Sequence, residues 1–137
     1  MSDFVLDASV STSLLIPATE AQRHYAKRIF DLIANGAIPA VPSLWMAETA
    51  SVLIKARRSK LITKAAYEIA LETLDSMSYI PHHVAYTVRE IVDIAEKAQL
   101  TGYDAVYLDL ARKLKIPMAT VDAGIVSACQ RYRIAVL

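Results

Sequence analysis

Residues 100–122, LTGYDAVYLDLARKLKIPMATVD, decide how this chain is read. Thr101 offers a hydroxyl that can accept a bond from an orphan N–H just before a periodic segment, which predicts a helix over 104–115. Pro117 then separates that helix from the apolar run 118–121, a short strand closing on Asp122. A helix feeding a buried strand that ends on a carboxylate is the repeating half of a parallel α/β sheet.

The same grammar extends in both directions. Apolar runs at 4–6, 38–41 and 134–137 predict three further strands, and Tyr79-Ile80 a short fifth. Helical patterns occupy 11–16, 20–35, 44–59, 64–77, 84–99 and 123–132, with Thr19, Ser43 and Thr63 standing where caps belong. Parallel neighbours need long crossovers, so these helices imply an α/β fold, a three-layer α/β/α sandwich around a central parallel sheet of four or five strands. At 137 residues and 55% apolar content, with no repeat or Gly/Ser linker, the chain reads as one domain over 1–137.

Composition narrows the function. Fifteen basic residues against fourteen acidic ones give no general polyanion-coating field, so any nucleic-acid contact must be local. The single cysteine, Cys129, precludes an internal disulfide and reads as a small buried residue. Neither a secretory leader nor a membrane span is visible in the pattern, and a cytoplasmic protein is the expectation. The first strand leads into Asp7-Ala8-Ser9, and only three glycines are present, which disfavours a Rossmann phosphate loop.

Open parallel sheets bind ligands beyond the carboxyl ends of their strands. Asp7 and Asp122 end two of the strands there. Glu48 comes early in the helix after the second strand, with Ser43 as its expected cap, and Asp104 opens the helix before the strand at Met118. Singly, such residues are ordinary caps and turn formers. Together they conflict, because two carboxylates about 5 Å apart repel by roughly 3 kcal/mol at an effective dielectric near 20. Protons, basic partners or a cation must relieve four of them. Without His or Cys nearby in sequence, an all-oxygen set favours Mg²⁺ or Mn²⁺ over zinc, and phosphodiester hydrolysis is the chemistry such ions serve.

Three stretches, the last carrying two acids, then show a resemblance. FVLDASV, VPSLWMAETASVL and LTGYDAVYLDLARKLKIPMATVD, the last with a YDA-x-Y-x-x-LA helix and a T-x-D strand end, look like the acidic segments of PIN-domain ribonucleases, and within them of the VapC toxins of prokaryotic toxin-antitoxin pairs. The likeness runs nearly the length of the chain. It implies metal-site acids at Asp7, Glu48, Asp104 and Asp122, with Asp7 and Asp104 the most direct ligands, and supporting hydroxyls at Ser9 and Thr120. It further implies an RNA substrate cut to leave a 5′-phosphate and a 3′-hydroxyl, and a cognate VapB-like antitoxin. A PIN nuclease of ordinary RNA processing, or a non-catalytic binding module on the same fold, are the alternatives. The family often has a basic residue after its fourth acid, whereas this chain reads Asp122-Ala123-Gly124, so no phosphate contact is expected there.

Other features have two readings each. Lys55, Arg57, Arg58, Lys60 and Lys64 form the densest basic patch, suited to RNA phosphates, to an antitoxin's acidic tail, or simply to a solvated helix end. His82 and His83, adjacent on a loop, lack the partner pair that metal ligation needs. Trp45, Met46, Tyr103 and Tyr107 could stack bases but more simply fill the core or a dimer face. The apolar helices between residues 63 and 99 exceed what a small sheet needs for cover, which suggests a homodimer or an antitoxin groove.

Overall fold

The computed structural model describes residues 1–16 and 19–137. Three elements of the sheet are short and wholly or mostly buried: β1 (Phe4–Leu6), β2 (Pro39–Pro42) and β4 (Met118–Ala119). Side chains of successive strand residues point to opposite faces, so unbroken burial along β1 and β2 means that helices cover both sides. The edge strand β3 (Ile80–His82) is only half-buried, as an edge allows. All pairings are parallel in the order β3-β2-β1-β4, which confirms the α/β expectation with four strands.

Seven helices connect these strands among the described residues: α1 (Ala8–Leu15), α2 (Glu20–Ala34), α3 (Leu44–Arg58), α4 (Lys64–Ser76), α5 (Val88–Ala98), α6 (Gly102–Leu114) and α7 (Ala123–Arg131). None is long and apolar enough to cross a membrane. The chain steps outward from β1 to β2 to β3, then returns through α5 and α6 to place β4 on the other side of β1. That reversal opens the crevice where parallel sheets bind ligands, between the carboxyl ends of β1 and β4. The packed centre of the molecule combines Phe4, Val5 and Leu6 of β1 with Ile29 of α2, Val41, Tyr107, Leu108 and Met118. Trp45 is buried and its ring lies 5.2 Å from that of Tyr79, so it serves the core. Cys129 is buried too, its thiol against the Met118 sulfur and pushed by desolvation up to about 11.

Several boundaries differ from the sequence reading. The strand expected at 134–137 reduces to one bridge between Met118 and Val136, because Arg133 takes a left-handed turn (φ 56°) and the segment runs along the half-exposed edge. The helix expected from residue 84 starts at Val88, where Thr87 and Glu90 form a reciprocal capping box. Helix α1 begins at Ala8, three residues earlier than expected, and α6 at Gly102, two earlier. Thr19, Thr63 and Thr101 cap their helices by accepting an N–H, whereas Ser43 does not. Its backbone is already helical, and its hydroxyl instead lies 2.6 Å from His83 Nδ1.

One buried carboxylate escaped the sequence reading. Asp109 in α6 is 2% exposed and accepts from Tyr86 Oη (2.6 Å), Arg112 and Lys113 (both 2.8 Å). Desolvation alone would raise its pKa, but the bonds from Lys113, Tyr86 and Arg112 outweigh it and hold the carboxyl below its ordinary value. Its stabilising effect is therefore full above the unfolded carboxyl value and disappears as pH falls through the lowered one. Asp109→Ala should cost about 1–3 kcal/mol, mainly by stranding the Tyr86 hydroxyl. The loss, read from denaturant melts, should be present at pH 7 and shrink in strong acid.

Candidate active site

Asp7 leaves β1 at the N-cap position of α1, but its carboxylate does not cap the helix. It turns toward β4, and its Oδ2 accepts from Ser9 Oγ and from Thr120 Oγ1 (2.8 Å). The chain beyond β4 is shaped around this contact. Thr120 N donates to Tyr25 Oη (3.1 Å), Val121 N to Ser9 Oγ (3.2 Å) and Asp122 N to Thr120 Oγ1 (3.1 Å). Three successive backbone donors thus leave the ladder for side chains of one cluster, which is why β4 ends at Ala119 rather than at Val121. Thr120 meets Asp7 where the chain departs from the strand.

The other acids arrive from separate helices. Glu48, one turn into α3, accepts at Oε1 from Tyr107 Oη (2.8 Å). Asp104 lies in the first turn of α6, where Thr101 Oγ1 accepts its backbone N–H (3.2 Å). Its carboxylate has no ion-pair partner among the described residues. Asp122 caps α7 through Oδ1, which accepts from Ile125 N (2.9 Å). All four acids line one open cleft of about 480 Å³, together with Ser9, Thr12, Ser51 and Tyr103.

Electrostatics mark the cleft as acidic and uncompensated. Asp7, 4% exposed, is pushed above the ordinary carboxyl range chiefly by desolvation, and further by Asp122, against the bonds from Ser9 and Thr120. Burial likewise raises Glu48, with Asp7 and Asp104 adding to it, and raises Asp104, with Asp122 and Asp7 adding to it. The Tyr107 hydroxyl is pushed far above its usual value by desolvation and by its bond to Glu48, so it remains a donor. No Lys or Arg forms an ion pair with any of the four acids among the described residues.

This donor set fits a hard divalent cation. The lining offers carboxylate and hydroxyl oxygens, with no imidazole or thiol among the described residues. Among the described residues no three acids close into a ready-made ligand shell. That arrangement suits an ion of the Mg²⁺ kind, which retains several waters and takes only one or two carboxylates directly. His82 and His83 sit away from the cleft beside Ser43.

Sequence reasoning did not assign Tyr25 or Tyr107 to this cluster. Tyr107 was legible in principle, because it stands three residues after Asp104 and therefore on the same face of α6. Tyr25 had no such signal, since it reaches Thr120 across 95 positions of sequence.

A family model described as the PIN domain matches residues 4–130. Among solved structures, the crystal structure of PAE2754 from Pyrobaculum aerophilum is similar, with a TM-score of 0.67 at 21% identity over 98% of this chain and 83% of that one. At that identity the likeness speaks for the fold. No curated protein matches.

Raised carboxyl values make folding hold protons that the unfolded chain has released, so stability falls as pH rises from about 4 through the raised values. Asp104→Asn removes a repelled charge while keeping a side chain of the same shape. It should raise the melting temperature by a few degrees at pH 7, and the gain should vanish near pH 4. A melting temperature lowered by the substitution at pH 7 would show that the cluster is not electrostatically strained.

Proposed function

This chain belongs to the PIN-domain family, whose members are usually nucleases, and from that premise we propose that its acidic cleft cuts RNA phosphodiester bonds with Mg²⁺ or Mn²⁺. The observation that carries the reading is the convergence on one cleft of Asp7, Glu48, Asp104 and Asp122, from four segments of the chain, without a basic partner. Asp7 and Asp104 are the most direct ligands for the ion, and Glu48 and Asp122 complete its acidic surroundings. When bound, the ion polarises a phosphoryl oxygen, readies water for attack and stabilises the leaving oxygen. Ser9 and Thr120 fix the Asp7 carboxylate by donating to its Oδ2. Tyr107 fixes Glu48 in the same way.

We further propose that the nuclease is the toxin of a toxin-antitoxin pair, resembling VapC, and that a VapB-like antitoxin restrains it. An apolar groove of about 260 Å³ between α1, α2 and α4, lined by Leu14, Leu15, Phe30, Ile69 and Leu74, supports an apolar partner segment there. The exposed valines 84, 88 and 92, before and along α5, support a homodimer. Light scattering of the purified chain should then give twice the monomer mass.

Purified protein should cleave structured RNA when Mg²⁺ or Mn²⁺ is added, and stop on chelation. Asp7→Asn and Asp104→Asn should each lose about 100-fold or more, beyond the usual cost of disturbing a ligand's supporting shell, and Thr120→Val about 10- to 100-fold. Either ion should also raise the melting temperature of the parent and not of the two Asn variants. Variants that cleave as well as the parent would refute the site. Induced expression should arrest growth, and co-expression of the neighbouring small gene should relieve it.

A further inference from the structure

On α3, the residues that line the cleft are Leu44, Ala47, Glu48, Ser51 and Val52, a stripe at i, i+3, i+4, i+7 and i+8. Continued by the same period, the stripe reaches Lys55 and Arg58. Both are exposed, and neither has an acidic ion-pair partner among the described residues. Arg57 falls on a different side of the helix, and Lys60 lies past its end. The basic patch is thus divided by geometry: two of its cations stand in line with the cleft. Seven residues of helix separate Glu48 from Lys55, about 10 Å, or roughly three stacked nucleotides at 3.4 Å each.

At the opposite wall, Tyr103 directly precedes Asp104 and is 66% exposed while lining the cleft. Tyr107, by contrast, is 1% exposed and engaged by Glu48. An uncovered aromatic ring beside a carboxylate cluster has no structural partner to satisfy, but it presents a face on which a base can stack. Only an unpaired base can reach such a ring.

Resting on the nuclease reading, we infer that Tyr103, Lys55 and Arg58 form the substrate track of the cleft, a base beside the scissile phosphate stacking on Tyr103 and phosphates a few nucleotides away held by Lys55 and Arg58 along α3. Stacking and phosphate contacts are tolerant of sequence, so this track selects strandedness rather than a base.

The test is fluorescence anisotropy of a short labelled RNA of mixed sequence, single-stranded or annealed to its complement, in EDTA so that nothing is cut. The parent should bind the single strand more tightly. Tyr103→Ala should weaken that binding about fivefold or more and Tyr103→Trp should restore it. Lys55→Gln with Arg58→Gln should weaken binding and reduce the salt slope by about 1.4, the value for two lost phosphate contacts on a single strand. Arg57→Gln with Lys60→Gln should change the slope less. All five positions are off the buried core, and melting temperatures should confirm that the variants fold. Equal binding of duplex and single strand, no binding by the parent, or equal effects of the two basic pairs would overturn the track. Single-strand binding without metal-dependent cleavage would instead sink the nuclease reading alone, and cleavage indifferent to Tyr103, Lys55 and Arg58 would sink the track alone.

Discussion

The bond between the Asp7 carboxylate and the Thr120 hydroxyl organises this molecule. It joins the ends of the two strands on either side of the sheet's reversal point, β1 and β4, and makes the last residues of β4 serve a carboxylate rather than a ladder. A buried acid at that position raises the free energy of the folded chain, since desolvation and the charge of Asp122 both oppose its ionisation. Two hydroxyl donors offset part of that cost without supplying the positive charge that would remove it. The fold therefore holds a carboxylate rigid while leaving its charge unanswered, which is the state a cation-binding group requires.

Asp109 shows that the same fold can treat a buried acid in the opposite way. Five residues after Asp104 on α6, it receives two cations and a tyrosine hydroxyl, and its carboxyl is held low. Lys113 also covers the Tyr86 ring at 4.7 Å, closing that cluster over itself. One helix thus carries a neutralised acid that fastens the segment before α5 to the body of the domain, and an unneutralised acid that faces a cleft. Burial alone does not separate these two kinds of carboxylate here. The presence or absence of a basic partner does.

The parts of this architecture legible in the sequence are those governed by local rules. Short apolar runs ending at Asp7 and before Asp122 marked β1 and β4, and threonines at 19, 63 and 101 marked helix starts by their hydroxyls. The four acids could be placed near one sheet edge because strand ends and first helical turns face the same way in a parallel fold. What could not be read depends on contacts between distant positions. Tyr25 holding Thr120, Tyr107 holding Glu48 and the early end of β4 follow from packing across the sheet, and no window of sequence contains them. Ser43 illustrates the limit within a local rule: a good capping residue was diverted by His83, 40 positions away.

The order of the strands has a consequence for when the protein becomes complete. Asp7 leaves the ribosome well before Thr120, which follows it by 113 positions, and before Asp122. Helices and the β1-β2-β3 side of the sheet have their partners before β4 is made, but the reversal crevice has only one wall until then. Synthesis must pass Asp122 before the cleft can close on itself, so a nascent chain carries its acids in separate, unassembled pieces. Topology itself thus delays the assembly of the acidic cluster until β1 and β4 can meet.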